Sequence, residues 1–219
     1  PLAQGKIGAF AITEPSAGTD VGGALTTAVL QGDEYVINGS KTFCTNGPVA
    51  DTYVVFAWTN KEAGEMSCFI IPKGTPGLQA GAKIHKMGMR SSQTSDLYLK
   101  DCRVPKENLL GKEGQGLKIA MNGFDHGRIG IAAQAVGIAQ AALDEAIAYS
   151  KQRIQFKKPI DKQQQIQFWI ADMVTEVQAA RLLTLQAAWM KDQGKPFSKE
   201  ASMAKLYASE LAVRVTNKA

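Results

Sequence analysis

The chain has 219 residues, of which 45% are hydrophobic, enough to fill the core of one large domain or two small ones. No apolar run approaches the roughly 18 residues that a membrane-spanning helix needs, and no charged-then-apolar leader precedes the first strand, so we expect neither a membrane anchor nor secretion. The net charge of +5 comes without aromatic interleaving or a recognised nucleic-acid motif, so we predict no nucleic-acid partner.

The surplus positive charge lies in the second half of the chain. Residues 1–113 hold 11 basic and 11 acidic side chains, whereas residues 114–219 hold 14 and 9. The densest basic cluster runs from Lys151 to Lys162. Either a solvated surface or an anionic ligand would explain such a cluster.

Three cysteines are dispersed along the first half of the chain, at Cys44, Cys68 and Cys102. Their number is odd and each lies in a strand-like segment, which argues against a disulfide framework. We therefore expect buried thiols in a reducing cytoplasm.

Residues 1–113 have the pattern of an antiparallel sheet protein, because short apolar runs alternate with Gly, Pro, Asn and Asp. The dipeptide Asn38-Gly39 predicts a two-residue hairpin turn. The spacing of the runs indicates a compact β-barrel or a sandwich of two packed sheets. The predicted strands are Lys6–Thr13, Ala24–Leu30, Glu34–Ile37, Ser40–Cys44, Asp51–Trp58, Ser67–Ile71 and Asp96–Leu99.

The stretch from Gly8 to Asp20 joins a small-residue strand to a turn of short or hydrogen-bonding side chains. Gly18 allows the backbone to come close to a ligand. Thr13, Ser16, Thr19 and nearby backbone amides could then cradle a phosphate or the polar edge of a ring. An ordinary strand-to-loop turn explains the same residues.

After the glycines at 111, 114 and 116 the apolar period becomes helical. We interpret these glycines as an interdomain turn, because their order does not fit a dinucleotide-binding fingerprint. Helices are predicted at 117–152, at 162–191, and from a Ser198 cap to the last residue.

The sequence therefore predicts an α+β chain with two segregated domains. Residues 1–113 form the antiparallel β-barrel or sandwich, and residues 114–219 form a partial antiparallel helical bundle. Two long helices and a shorter third do not close a bundle, so at least one more element is expected. We interpret the chain as the interior of a longer protein.

Seven collinear stretches together resemble the acyl-CoA dehydrogenase family, and most closely its short-chain, butyryl-CoA type members. The match extends over nearly the whole chain. The stretches are AITEPSAGTDVGG at 11–23, INGSKTFCTNG at 37–47, KMGMRSSQTSDLYL at 86–99, VPKENLLGKEGQG at 104–116, FDHGRIGIAAQAVGIAQAALDEA at 124–146, RIQFKKPIDKQQQIQFWIADM at 153–173 and KEASMAKLYASE at 199–210.

The resemblance implies a three-part subunit, of which this chain holds the middle β-barrel domain and part of the C-terminal helical domain. It also implies FAD as cofactor and a homotetramer or homodimer as the assembly. The implied reaction oxidises an acyl-CoA to the trans-2-enoyl-CoA and passes the electrons to electron transfer flavoprotein. We expect such a protein in the cytoplasm, or in the mitochondrial matrix of a eukaryote.

The resemblance implies that two segments of the first half lie beside the flavin ring. Thr13 would supply a hydroxyl to the ring's polar edge, and Thr19 would touch both cofactor and substrate. Thr45 would lie near N5. Phe43 stands where the family more usually has Trp, so it keeps a flat apolar contact and loses an indole donor. The implied cofactor-binding residues here are Phe10, Ala11, Ile12, Thr13, Gly18, Thr19, Phe43, Cys44 and Thr45.

In the helical half the resemblance implies substrate contacts and a second set of cofactor contacts. The substrate-binding residues, which would meet the pantetheine arm and head of acyl-CoA, are Thr19, Asp125, His126, Gly127 and Arg128. A local ion pair is another explanation for Asp125 and Arg128, which share a helix face. The residues implied to reach the FAD of a neighbouring subunit are Arg153, Phe156 and Gln164.

No catalytic residue is assigned within the chain. A minority of the family carries its catalytic Glu immediately before the Arg of the 125–128 segment, where this chain has Gly127. The majority carries it on a later segment, which we expect beyond Ala219, so this fragment is expected to be inactive alone. We predict no metal site.

Two other classes of function use the same kind of scaffold. An acyl-CoA oxidase or a nitroalkane-oxidising enzyme would share the flavin site and react directly with oxygen. A non-catalytic flavin or acyl-CoA binding protein would lack the downstream Glu.

Overall fold

The computed structural model describes residues 2–219. These residues form two compact units that divide after Ala120. The first unit contains a seven-stranded sheet, and the second is helical apart from a short hairpin. The α+β class is confirmed, while the domain boundary after residue 113 stays a prediction.

The main sheet is mostly antiparallel, as predicted, with the order β1-β4-β2-β3-β7-β6. The seventh strand, β5, stands outside this order and pairs with β4. Two pairings differ from the prediction, because β1 and the first residue of β2 pair with β4 in parallel. Closure into a barrel stays a prediction. The strands are β1 (Gly8–Ala11), β2 (Thr27–Gln31), β3 (Glu34–Thr45), β4 (Thr52–Asn60), β5 (Glu65–Pro72), β6 (Leu78–Lys83) and β7 (Thr94–Pro105).

The core of this unit is formed by apolar side chains from nearly every strand. Ile37, Val55, Phe69, Leu97 and Val104 are fully buried. Burial of each such side chain contributes about 1.5–3 kcal/mol. All three cysteines are buried and free, which confirms the expected thiols.

The predicted hairpin at Asn38-Gly39 is wrong, because β3 runs straight through both residues. Its pairing with β7 is irregular between Ile37 and Gly39. Gly39 has φ +151°, and a Cβ at this position would lie 2.8 Å from the Thr26 Cα. The glycine is therefore needed for the close approach of Thr26 and not for a turn.

The strand at Leu78–Lys83 has no counterpart in the sequence prediction. Its sequence, LQAGAK, contains no β-branched or aromatic residue, so local propensity gives no signal. Pairing with β7 makes it a strand. β7 itself extends well beyond the predicted Asp96–Leu99 at both ends.

The helical part has α1 (Gly116–Gln152), α2 (Gln164–Asp192) and α3 (Ser198–Lys218). A hairpin of β8 (Ile154–Gln155) and β9 (Lys158–Pro159) separates α1 from α2. The helix bounds agree with the predicted ones within two residues, and completion of a bundle stays a prediction. Within residues 2–219, no helix has the length and apolar character needed to cross a membrane.

The Ser198 cap prediction is wrong. Phe197 precedes α3 at the capping position, and Ser198 is the first helical residue. Its hydroxyl donates to Asp125 Oδ1 at 3.0 Å instead of capping a backbone amide. The contact partner is 73 residues away, so the local pattern could not reveal it.

Candidate functional site

The segment that follows β1 lies directly against the last part of β3. The Thr42 amide donates to the Thr13 carbonyl at 2.8 Å. Lys41 Nζ donates to the Ile12 carbonyl at 3.2 Å. Two motifs that are 30 residues apart in the sequence are thus held side by side by backbone contacts.

Phe43 lies in a bulge of β3. The pairing with β7 changes register between Lys41 and Cys44, which leaves an extra residue on β3. Phe43 has φ +55°, and its side chain is 66% exposed. A left-handed conformation at a residue other than glycine costs on the order of 1–3 kcal/mol. The bulge therefore holds an aromatic side chain outward at a cost in backbone energy.

A second aromatic side chain is exposed on the neighbouring segment. Phe10 of β1 is 40% exposed, and its ring packs on the buried Phe56 ring with a centroid distance of 4.9 Å. The flanking Ala9 and Ala11 are buried. Each of the two adjoining segments thus presents an aromatic surface above a well-packed core.

The other implied cofactor residues of this unit divide into two groups. Ala11, Ile12 and Cys44 are buried as whole residues, so their side chains belong to the core of the sheet. Thr13 is partly exposed and Thr45 is exposed. Gly18 and Thr19 lie exposed in the loop between β1 and β2.

Burial raises the pKa of the Cys44 thiol to about 11, although Lys41 lowers it and Asp96 raises it further. A thiol with such a pKa stays protonated at neutral pH and is a poor nucleophile. Cys44 therefore acts as a buried side chain of the sheet core and not as a nucleophile.

Sequence reasoning missed a buried ion pair beneath these segments. Lys41 Nζ lies 2.8 Å from Glu14 Oε1, and the two side chains are 0% and 3% exposed. Glu14 also accepts hydrogen bonds from the Leu25 amide at 2.6 Å and the Thr26 amide at 3.1 Å. The partners are 27 residues apart, so local sequence could not reveal the pair.

The pair has perturbed protonation equilibria. Burial alone would raise the pKa of Glu14, but contacts with Lys41, Thr26 and the Leu25 amide together lower it below its usual value. Burial lowers the pKa of Lys41, against the opposing effect of the Glu14 carboxylate. Each charge is thus compensated by its partner and by backbone groups.

In the helical unit, α1 carries a cluster around Asp125. Arg128 Nη1 donates to Asp125 Oδ1, which also accepts the Ser198 hydroxyl bond. The His126 ring packs edge-on against Phe197 with a centroid distance of 5.2 Å, and its Nδ1 lies 2.8 Å from the Asn122 carbonyl oxygen. The local ion pair between Asp125 and Arg128 is therefore present.

Gly127 lies within this cluster and faces open space, because a Cβ there would meet no atom within 4 Å. The Arg128 side chain is 37% exposed, which leaves some of its donors accessible. The cluster thus combines a guanidinium group oriented by Asp125 with an exposed glycine at the preceding position.

The remaining predicted residues lie in the β8–β9 hairpin or directly beside it in the sequence. Phe156 and Lys157 form its turn with φ +51° and +65°, the signs of a type I′ turn. Phe156 is 87% exposed. Arg153 directly precedes the hairpin, and its backbone carbonyl accepts a hydrogen bond from the Ile160 amide at 2.9 Å. Gln164 is the first residue of α2, which follows the hairpin.

The two halves of the chain match the two conserved parts of one enzyme family. The middle domain of acyl-CoA dehydrogenases matches residues 9–102, and the C-terminal domain of acyl-CoA dehydrogenases matches residues 114–219. The chain therefore belongs to the acyl-CoA dehydrogenase family, whose members are FAD-dependent oxidoreductases.

Individual relatives are similar over the whole chain. The short-chain specific acyl-CoA dehydrogenase of Megasphaera elsdenii is 53% identical over 223 residues, which is 100% of this chain and 58% of that protein. The solved butyryl-CoA dehydrogenase of the same organism is 52% identical with a TM-score of 0.94, over 97% of this chain and 56% of that one.

A second similar structure is that of the electron transferring flavoprotein of Acidaminococcus fermentans. It is 56% identical with a TM-score of 0.94, over 97% of this chain and 56% of that one. The chain spans just over half the length of the relatives that it matches.

The residues around Phe43 fit a flavin ring. A flat heteroaromatic ring needs apolar surface for its faces and hydrogen-bonding groups for its edge. The exposed Phe43 and Phe10 offer the surface, and the partly exposed Thr13 and the exposed Thr45 carry hydroxyl groups.

Proposed function

We propose that the whole protein containing this chain catalyses the FAD-dependent α,β-dehydrogenation of a short-chain acyl-CoA to the trans-2-enoyl-CoA. We propose that electron transfer flavoprotein then accepts the electrons. The observation that carries this proposal is the contact between the Ile12–Thr13 segment and the bulge that exposes Phe43. Family membership supports the reaction class, and similarity to a butyryl-CoA dehydrogenase supports a short substrate.

The first unit would hold the cofactor. Bound FAD would supply the electron acceptor for the hydride that leaves the substrate's β carbon. Phe43 and Phe10 would contact the ring through apolar surface, and Thr13 and Thr45 would hydrogen-bond its polar groups. Thr19, on the exposed loop, would touch both cofactor and substrate. Gly18 would let the backbone approach.

The Asp125 cluster would bind the substrate. Asp125 fixes the orientation of Arg128 through their ion pair, so the arginine would meet an anionic or polar part of acyl-CoA with little loss of side-chain entropy. Gly127 would leave room for the acyl-CoA chain, and His126 would lie at the rim.

No residue of the Asp125 cluster is proposed as the catalytic base. The Asp125 carboxylate is already engaged by Arg128 and Ser198, and His126 Nδ1 is engaged by the Asn122 carbonyl. We propose that the base is a Glu on sequence outside this chain, so the 219 residues alone would be inactive. Parent-like turnover by the isolated chain would contradict this proposal.

The β8–β9 hairpin would serve a neighbouring subunit. Arg153 can bind a pyrophosphate through two parallel hydrogen bonds, and Phe156 and Gln164 flank it along the chain. We propose that these residues contact the FAD of another protomer in a homotetramer or homodimer. We expect such an enzyme in the cytoplasm, or in the mitochondrial matrix of a eukaryote.

The full-length gene product provides the test. Purified holoenzyme is mixed with butyryl-, hexanoyl- and octanoyl-CoA, in air and without oxygen, with and without electron transfer flavoprotein. We expect flavin bleaching by butyryl-CoA and sustained turnover only with electron transfer flavoprotein. Turnover driven by oxygen alone would favour an oxidase, no bleaching would favour a binding protein, and an octanoyl-CoA optimum would exclude the short-chain preference.

A further inference from the structure

We propose that Glu14 and Lys41 are positioning residues of the flavin site, which set the geometry of the two cofactor segments and thereby the affinity and reduction potential of bound FAD. This inference rests on the proposed function. Neither side chain can touch a ligand itself, because the pair is almost fully buried.

Lys41 connects the two cofactor segments directly. Its ammonium group donates to the Ile12 carbonyl at 3.2 Å and to Glu14 at 2.8 Å. It is also the residue from which the bulge of β3 departs, two positions before Phe43. A displacement of Lys41 would therefore move the Ile12–Thr13 backbone and the exposed Phe43 together.

Glu14 closes the loop that carries Gly18 and Thr19. The loop leaves β1 through Glu14 itself and returns through Leu25 and Thr26, whose amides both donate to the Glu14 carboxylate. One carboxylate thus fixes the two ends of a loop whose middle is exposed. Trp58 and Lys61 also donate to the Ala24 carbonyl, so loss of the carboxylate should loosen this closure and displace Thr19 without unfolding the loop.

Stability alone does not account for such a pair. Taking two charges out of water costs several kcal/mol per ion, and an apolar pair of equal volume is often as stable. The Glu14–Lys41 pair differs from an apolar pair in what it bonds to, because its other partners are backbone groups of Ile12, Leu25 and Thr26. Directional bonds to backbone fix positions in a way that apolar packing does not.

The chain offers a matched control. Glu34 and Arg103 form an ion pair at 3.6 Å with side chains 44% and 55% exposed. This pair also involves β3, which it joins to β7, but it is exposed to water and is remote from the bulge in sequence. Loss of this pair should leave the affinity and the reduction potential of bound FAD unchanged.

The experiment uses the full-length holoprotein and compares E14Q, the double variant E14Q/K41M and the control E34Q. FAD is removed, and rebinding is measured by fluorescence quenching, with the visible flavin spectrum and the midpoint potential as further readouts. The double variant removes both charges, so it leaves no uncompensated buried ion that could prevent folding.

In the folded double variant we expect FAD to bind on the order of ten- to a hundredfold more weakly, by analogy with the loss of metal affinity when contacts that orient the ligating groups are removed. The flavin spectrum and potential should also shift, which a purely structural role would not cause. E34Q should match wild type within about twofold.

The outcomes separate the two proposals. Wild-type affinity, spectrum and potential in the folded double variant would overturn the positioning role and leave the proposed function intact. Wild-type protein that binds no FAD would overturn the proposed function and the positioning role with it. An equal effect of E34Q would also overturn the role of this particular pair.

Discussion

The two candidate clusters are built in opposite ways. The Glu14–Lys41 pair is buried and joins segments 27 residues apart, whereas the Asp125–Arg128 pair is partly exposed and joins residues three apart on one helix. The first kind of site exists only when the sheet has folded. The second is largely specified by local helix geometry. Burial and sequence separation therefore decide how strongly each cluster depends on the fold.

The largest expected effect is the loss of Glu14. Replacing Glu14 by Ala leaves the Lys41 charge buried without a partner, which should lower the free energy of unfolding by about 3–5 kcal/mol. The free energy of unfolding is measured by urea titration, with circular dichroism as the signal. E34A, which removes an exposed ion pair, should cost less than about 1 kcal/mol. Equal decreases in the free energy of unfolding of the two variants would contradict the prediction that the buried ion pair matters more for stability than the exposed one.

The same carboxylate predicts a pH dependence. Folding lowers the pKa of Glu14 below its usual value of 4.5. The unfolded state then binds more protons, so the stabilisation is fully present above pH 4.5 and is lost as the pH falls through the lower folded-state pKa. In urea titrations between pH 7 and pH 3, the difference in the free energy of unfolding between wild type and E14Q should become smaller at acid pH. A difference that does not change with pH would contradict the lowered pKa of Glu14.

Gly39 and Gly137 give a matched pair of substitutions. In β3, Gly39→Ala would push a Cβ within 2.8 Å of the Thr26 Cα, and such overpacking should cost about 1–3 kcal/mol. In α1, a Cβ at Gly137 meets no atom within 4 Å, so Gly137→Ala should be neutral or stabilise by up to about 1 kcal/mol. Thermal denaturation distinguishes the two, and destabilisation by both would show that α1 is packed more tightly at that face.

The smallest expected effect is at Ser198. Ser198→Ala removes the bond to Asp125, but Arg128 still pairs with the carboxylate, so stability should fall by less than about 1 kcal/mol. If the Asp125 cluster binds acyl-CoA as proposed, the KM for acyl-CoA in the full-length protein should rise modestly at unchanged kcat. Ser202→Ala, which loses only a bond to a helix carbonyl on the same helix, serves as the control.

The helical half could be predicted well because its information is local. Apolar spacing and the absence of proline place the ends of α1, α2 and α3 within two residues, and an ion pair three residues apart can be recognised from spacing alone. The sheet half could be predicted only in outline. The strand at Leu78–Lys83, the parallel pairing of β1 and the straight passage of β3 through Gly39 all depend on neighbours distant in sequence.

The same limit applies to the candidate site. Resemblance to a family supplied the segments around Thr13 and Phe43, but it did not reveal what holds them together. Nothing near Lys41 in the sequence indicates that its partner is Glu14, and nothing near Glu14 indicates that it accepts bonds from Leu25 and Thr26. Contacts of this kind become visible only when the chain has been folded in three dimensions.

The turn of the β8–β9 hairpin shows a compromise between stability and recognition. Phe156 and Lys157 both hold left-handed conformations, which Asn-Gly would adopt with less strain. Replacing the two residues by Asn-Gly would therefore relax the backbone and at the same time remove the most exposed aromatic ring of the chain. A sequence optimised for the folding of this segment alone would not keep Phe156, and the strained turn therefore supports the proposal that Phe156 contacts a neighbouring subunit.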